Sequence, residues 1–130
     1  MPHNTKQATE WLKAAQDDLD SISYIIEAQH LTNVVAFHSQ QAIEKSFKAL
    51  IEYHQIQFGK THNLEKLYKN IKDLIDIDYD KLELINELYI ESRYPGDMGL
   101  LPEGKPSMQD AKEFYGFALN IFKQISQKIQ

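Results

Sequence analysis

His38, Gln41, Glu44, Lys45 and Lys48 crowd into one short segment, FHSQQAIEKSFKAL, spanning positions 37–50. At the helical increment of about 100° per residue, His38, Gln41, Lys45 and Lys48 fall within roughly an 80° arc, with Glu44 on its flank. An imidazole, an amide, a carboxylate and two ammonium groups on one face can move a proton, hold an anion or pair with one another. The remaining faces carry Phe37, Ala42, Ile43, Phe47, Ala49, Leu50 and Ile51. A helix apolar around most of its circumference belongs in a core, where ionisable groups need partners or a task. The competing reading is a helix with one narrow solvated face, and spacing alone leaves both open.

Two further places carry reactive side chains. Arg93 is the sole arginine among the fourteen Lys and Arg residues, and Tyr94, Pro95, Gly96 and Asp97 follow it directly. Its planar fork of donors suits a carboxylate, a phosphate or a cluster of carbonyls. Pinning its own loop, by pairing with Glu91, Asp97 or Glu44, accounts for it as well. His62 sits just before an expected helix start, where it could be a turn residue ordering the cap, and the end-to-start geometry of a bundle could bring either His38 or His62 near Arg93. No metal or other cofactor is expected. The five histidines show no paired helical spacing with a third ligand, and Asp76, Asp78 and Asp80 lack the glycine and distal glutamate of a calcium loop. Phosphate-cradling glycine loops, nucleophile elbows and cysteine nucleophiles are all missing from the sequence.

The elements that must position these residues read as helices throughout. Trp11, Ala15, Leu19, Ile22, Ile25 and Ile26 keep the spacing of one buried stripe, giving a first helix from about Lys6 to Ala28 with Thr5 as its cap. The second runs from about Thr32 to Gln55. Asn63 caps a third, about Leu64 to Ile75, and a fourth from about Tyr79 to Ser92 uses Leu82, Ile85, Leu88 and Tyr89. The stretch RYPGDMGLLPEGKPS then breaks helicity with its prolines and glycines. Ser107 with Asp110 forms a variant capping box for a last helix to about Lys128, burying Phe114, Phe117 or Ala118, Ile121, Phe122 and Ile125. Alternating strand patterns and repeats are absent. The expected fold is all-α, an up-and-down bundle of four to five helices with a long loop before the last, forming one domain over 1–130.

Composition narrows the function classes. With 42% hydrophobic and 25% charged residues, the chain has the make-up of a soluble globule. No apolar leader or membrane-length segment is present, so a cytoplasmic location and no membrane association are expected. A net charge of −5 argues against indiscriminate nucleic-acid binding. The charge is uneven: four lysines against Glu65 between Lys60 and Lys72, then seven acids against Lys81 between Asp73 and Glu91. Such polarity is either two solvated helix faces or electrostatic complementarity to a partner.

Three motifs in order carry a family resemblance: WLKAAQDDLDSISYII, FHSQQAIEKSFKALI, and THNLEKL followed by ELYIESRYPGD. Together they resemble the HEPN domain family, small prokaryotic helical domains often paired with a minimal nucleotidyltransferase, over Trp11 to about Ile125. The resemblance implies a homodimeric bundle with a polar cleft for nucleotides or RNA. The matching positions are His38, Gln41, Glu44, Lys45 and Lys48, then His62, then Arg93, Tyr94 and Asp97. Family members that cleave RNA carry a histidine after four to six residues beyond an arginine. Here those positions are Met98, Gly99 and Leu100, and a metal-free ribonuclease needs an acid or base beside its cation.

The leading expectation is therefore a non-catalytic, homodimeric HEPN-type module that binds a nucleotide-type ligand, a nucleotidyltransferase partner, or both, as in a toxin–antitoxin-like pair. The first alternative is a divergent metal-independent ribonuclease using His38 or His62 with Arg93. The second is a purely structural dimer whose polar stripe is an inter-helix hydrogen-bond network.

Overall fold

The computed structural model describes residues 3–91 and 105–129, with backbone alone at 88–91. The expected all-helical architecture is present: α1 (Thr5–Ile25), a single 3-10 turn at Gln29–Leu31, α2 (Thr32–Tyr53), α3 (Leu64–Lys69), α4 (Tyr79–Glu91) and α5 (Met108–Lys128). Among the described residues no helix is long and apolar enough to cross a membrane.

α2 is the axis of the bundle, packing most extensively against α1 and then against α5. The Asn4 amide donates to the Tyr53 carbonyl at 3.1 Å, so α1 begins where α2 ends and the two run antiparallel. Ala8 and Ala15 of α1 and Ala42 and Ala49 of α2 are fully buried, which lets this pair of backbones approach closely. Phe47, Ile43, Leu50 and Ile51 fill the centre, joined by Leu82 and Ile85 from α4 and by Phe114, Ala118, Ile121 and Ile125 from α5. Phe122, expected inside, is only partly buried against this core. Leu88 and Tyr89 have no described side chains.

Helix ends differ from expectation where local polar groups compete. Asn4, and not Thr5, caps α1: its Oδ1 accepts from the Gln7 amide at 3.1 Å, while its own backbone is non-helical. α1 ends at Ile25 and not Ala28, because the Ala28 amide closes a tight turn on the Ile25 carbonyl. α2 stops at Tyr53 and not Gln55, since Gln55 adopts φ 56 and the Ile56 amide reaches back to the Ile51 carbonyl. This is a Schellman closure with glutamine where glycine is usual. α3 stops at Lys69, well short of Ile75. There the Asn70 side-chain amide donates to the Lys66 and Leu67 carbonyls, and the Ile71 and Leu74 amides close tight turns on the carbonyls three back. Ile71 and Ile75 remain buried, so the hydrophobic period outlasts the helix. Asn63 and Ser107 cap α3 and α5 as expected, accepting from the Lys66 and Asp110 amides.

Asn86 of α4, only 1% exposed, ties the outer helices together. Its Oδ1 accepts from the buried Leu64 amide at 2.8 Å, and its Nδ2 donates to Asn63 Oδ1 at 3.3 Å and Glu65 Oε2 at 3.0 Å.

Where α1 begins and α2 ends, His3 stacks on Tyr53 at 4.2 Å and meets His54 edge-on at 5.2 Å. Burial lowers the His54 pKa below its ordinary 6.5, and positive charge on His3 and Lys128 pushes the same way. The folded state thus resists a proton that the unfolded chain accepts. Stability contributed by neutral His54 is complete above pH 6.5 and declines as pH falls through the lowered folded value. Thermal melting as a function of pH should show this acid-side loss, and His54→Phe should flatten it; an unchanged profile would refute the assignment.

Candidate functional site

Burial of the α1 stripe sets the site. Asp18 stands three residues after Ala15 and four before Ile22, on the face that α1 turns toward α2. It is 7% exposed, and both of its oxygens are occupied. Oδ1 accepts from His38 Nδ1 at 2.8 Å and Oδ2 from Lys45 Nζ at 2.7 Å. One carboxylate of α1 thus holds a histidine and a lysine of α2.

A second carboxylate repeats the pattern one step further along α2. Glu44, 3% exposed, accepts through Oε2 from Lys48 Nζ at 2.9 Å and from His62 Nδ1 at 2.9 Å. Its Oε1 accepts from Gln40 Nε2 at 3.3 Å, and Gln40 Oε1 in turn accepts from Gln41 Nε2 at 2.6 Å. Lys48 Nζ also lies 5.2 Å from the centre of the Trp11 ring, a distance at which the ring face attracts the ammonium. Trp11 Nε1 is buried and has no hydrogen-bond partner among the described residues.

The polar ladder of α2 is therefore a network organised by two buried carboxylates, and the solvated-face reading does not hold for Glu44 and Lys48. Phe37, grouped with the apolar faces, is instead half-exposed and packs edge-on against the His38 ring at 5.4 Å. The α3 cap is made by the Asn63 side chain, and the His62 ring bonds Glu44. Five expected residues, His38, Gln41, Lys45, Lys48 and His62, are joined directly or through Gln40 to one of the two carboxylates, and a sixth, Glu44, is one of those carboxylates. Arg93, Tyr94 and Asp97 lie outside the described residues, as do the pairings considered for Arg93 with Glu91 and Asp97. Sequence reasoning passed over Asp18 and Gln40 as site residues. An acid inside an otherwise apolar stripe was the available signal for Asp18; for Gln40, which sits away from the polar arc, it was the i,i+4 spacing to Glu44.

The electrostatics follow from the pairing. Two carboxylates balance two ammonium groups, so the cluster is neutral while its histidines are neutral and gains a positive charge with each one protonated. The Asp18 carboxylate, accepting from Nδ1, fixes the His38 tautomer and leaves Nε2 as the working edge of that ring. The His38 and His62 side chains are 29% and 61% exposed, so these rings are open to solvent while their acids are not. Among the described residues no group of three or more His, Asp or Glu side chains could hold a metal ion.

Residues 8–128 match the profile of the HEPN domain. The chain belongs to the HEPN family. A HEPN relative in the solved structures, the archaeal homologue ST0689, is 26% identical and superposes with a TM-score of 0.71, over 95% of this chain and 98% of its own. The chain is also similar to a Methanocaldococcus jannaschii protein named "Putative toxin MJ1304", with 27% identity over 135 aligned residues, 94% of this chain and 88% of the relative. As a HEPN protein, the chain places Asp18, Glu44 and their cationic partners wholly inside the matched region.

Proposed function

We propose that this HEPN protein is a non-catalytic, homodimeric module that binds a nucleotide-type ligand, a nucleotidyltransferase partner, or both, in a toxin–antitoxin-like pair. The observation that carries the reading is the pair of carboxylate–histidine–lysine units, whose acids are buried while the His38 edge beside Lys45 reaches solvent. Such an edge donates to or accepts from a phosphorylated ligand, and Lys45, a quarter exposed, has ammonium donors beyond the one used by Asp18. The absence of histidine at positions 98–100 supports binding over cleavage. The toxin name of the relative supports the two-component setting.

Isothermal titration with AMP, ATP and short RNAs tests the ligand half. Binding is expected for at least one of them, and Lys45→Ala should weaken it by about tenfold, as expected for removing one charge-assisted hydrogen bond of roughly 1.5 kcal/mol. Heat-silent titrations with all three, checked by a second method, would leave only the protein-partner half standing.

One observation favours a second reading. A histidine whose Nδ1 is held by a buried acid is oriented as a general base, and His38 on Asp18 meets that description. A divergent ribonuclease would use it with Arg93. Transfer RNA that stays intact in the presence of wild-type protein, and equally so with Arg93→Ala, would remove this reading.

A further inference from the structure

Apart from His62, the lysine-rich stretch after α2 makes no hydrogen bond or ion pair with Asp18 or Glu44 among the described residues, and its Lys60 and Lys66 face a separate feature. Phe58, Gly59, Lys60, Thr61, Lys66 and Asn70 line a hollow of about 310 Å³, at the lower end of the roughly 300–1,000 Å³ typical of small-ligand clefts. It adjoins the polar cluster through one turn, since Thr61 lines the hollow while the next residue, His62, bonds Glu44.

Its charge is unbalanced. Among the described residues neither Lys60 nor Lys66 has a carboxylate within ion-pair distance. The acid nearest in sequence, Glu65, is engaged elsewhere, accepting from Tyr79 Oη at 2.7 Å and Asn86 Nδ2 at 3.0 Å. Thr61 Oγ accepts from the Asn63 amide at 3.0 Å, which leaves its own proton to donate into the hollow. Phe58 supplies an apolar wall that is half-buried against the core. By contrast the hollow between the 76–78 segment, the start of α4 and α5 is lined by Asp76, Asp78 and Glu113 against Lys81, a lining that repels anions. The two hollows have opposite sign, and only the one beside His62 suits an anion.

We infer that the Phe58–Asn70 hollow is a phosphoryl subsite separate from the carboxylate–histidine–lysine cluster, so that the ligand carries at least two phosphoryl groups. This rests on the nucleotide-type reading above. The second group is either the polyphosphate of a free nucleotide or the next phosphate along an oligonucleotide; the chemistry recognised is the same.

The test has a direct arm and a ligand arm. Titrating inorganic pyrophosphate into isotope-labelled protein should shift the amide signals of Gly59, Thr61 and Lys66, and Lys60→Gln/Lys66→Gln should abolish those shifts. Both lysines are exposed, so the variant is expected to keep the wild-type circular dichroism spectrum and melting temperature. In the ligand arm, ATP or a tetranucleotide should bind more tightly than AMP, and the double variant should reduce that advantage to less than twofold. For the tetranucleotide, the slope of log affinity against log salt should also become shallower by about 0.7 for each phosphate that the variant no longer neutralises. A gain with ATP alone identifies a polyphosphate, and a gain with the oligonucleotide alone identifies a nucleic-acid strand. Unmoved amides at Gly59 and Thr61 overturn the subsite, as does an undiminished advantage in the variant. Because pyrophosphate probes the hollow by itself, failure of AMP binding would count against the nucleotide reading and not against the subsite.

Discussion

Glu44→Leu should destabilise the protein by about 3–5 kcal/mol, the range for removing one partner of a buried ion pair. Three donors lose their acceptor at once: Lys48, His62 and Gln40. Lys48 suffers most, because its side chain is 11% exposed and cannot exchange the carboxylate for water without leaving the Trp11 ring. Glu44→Gln should cost less, since its carbonyl still accepts a hydrogen bond. Glu44→Leu combined with Lys48→Met should recover most of the loss, because apolar groups of similar volume often match a buried pair in stability. Urea unfolding of the two singles and the double gives the coupling energy directly. A loss below about 1 kcal/mol for Glu44→Leu, the range of exposed pairs, would mean that the pair is not desolvated in solution.

Asn86→Leu is expected to cost about 1–3 kcal/mol, the penalty for leaving a buried donor without its acceptor. The Leu64 amide is that donor, and Leu64 is fully buried. Asn63 continues to cap α3, so the loss belongs to the α3–α4 packing and not to the cap. Asn86→Asp separates acceptor from donor. It keeps an oxygen for the Leu64 amide but sets a carboxylate where Nδ2 now lies 3.0 Å from Glu65 Oε2. Adding Glu65→Gln should therefore rescue Asn86→Asp and leave Asn86→Leu unimproved. Equal behaviour of the two rescued variants in chemical denaturation would contradict this account.

The helices could be read from hydrophobic spacing because burial imposes it directly: the Ala15, Leu19, Ile22 run and the Phe114, Ala118, Ile121, Ile125 run both fall in the core. Helix ends were harder to read, and the reason is specific. At Asn70 and Gln55 the outcome depends on a side-chain amide reaching carbonyls and on one left-handed residue, neither of which alters hydrophobic periodicity. The polar arc of α2 was visible as residue types on one helix. Its organising groups were less so, because Asp18 lies on a different helix, 20 and 27 positions from the His38 and Lys45 it holds. Spacing within one helix carries no information about which acid another helix will bring. Asn86 stayed hidden for the same reason, its partner Leu64 lying 22 positions nearer the chain start.

Glu44 links the interior of α2 to the surface turn through a single carboxylate oxygen shared by Lys48 and His62. Whatever draws the His62 ring outward leaves that oxygen wholly to the lysine, and whatever weakens the lysine's hold strengthens the histidine's claim. Occupancy at the surface and cohesion in the interior are thus two readings of one linked equilibrium, and linkage makes the influence reciprocal. A molecule touching only His62 would register in the melting of α2, and a substitution made deep beside Trp11 would register in how firmly that molecule is held.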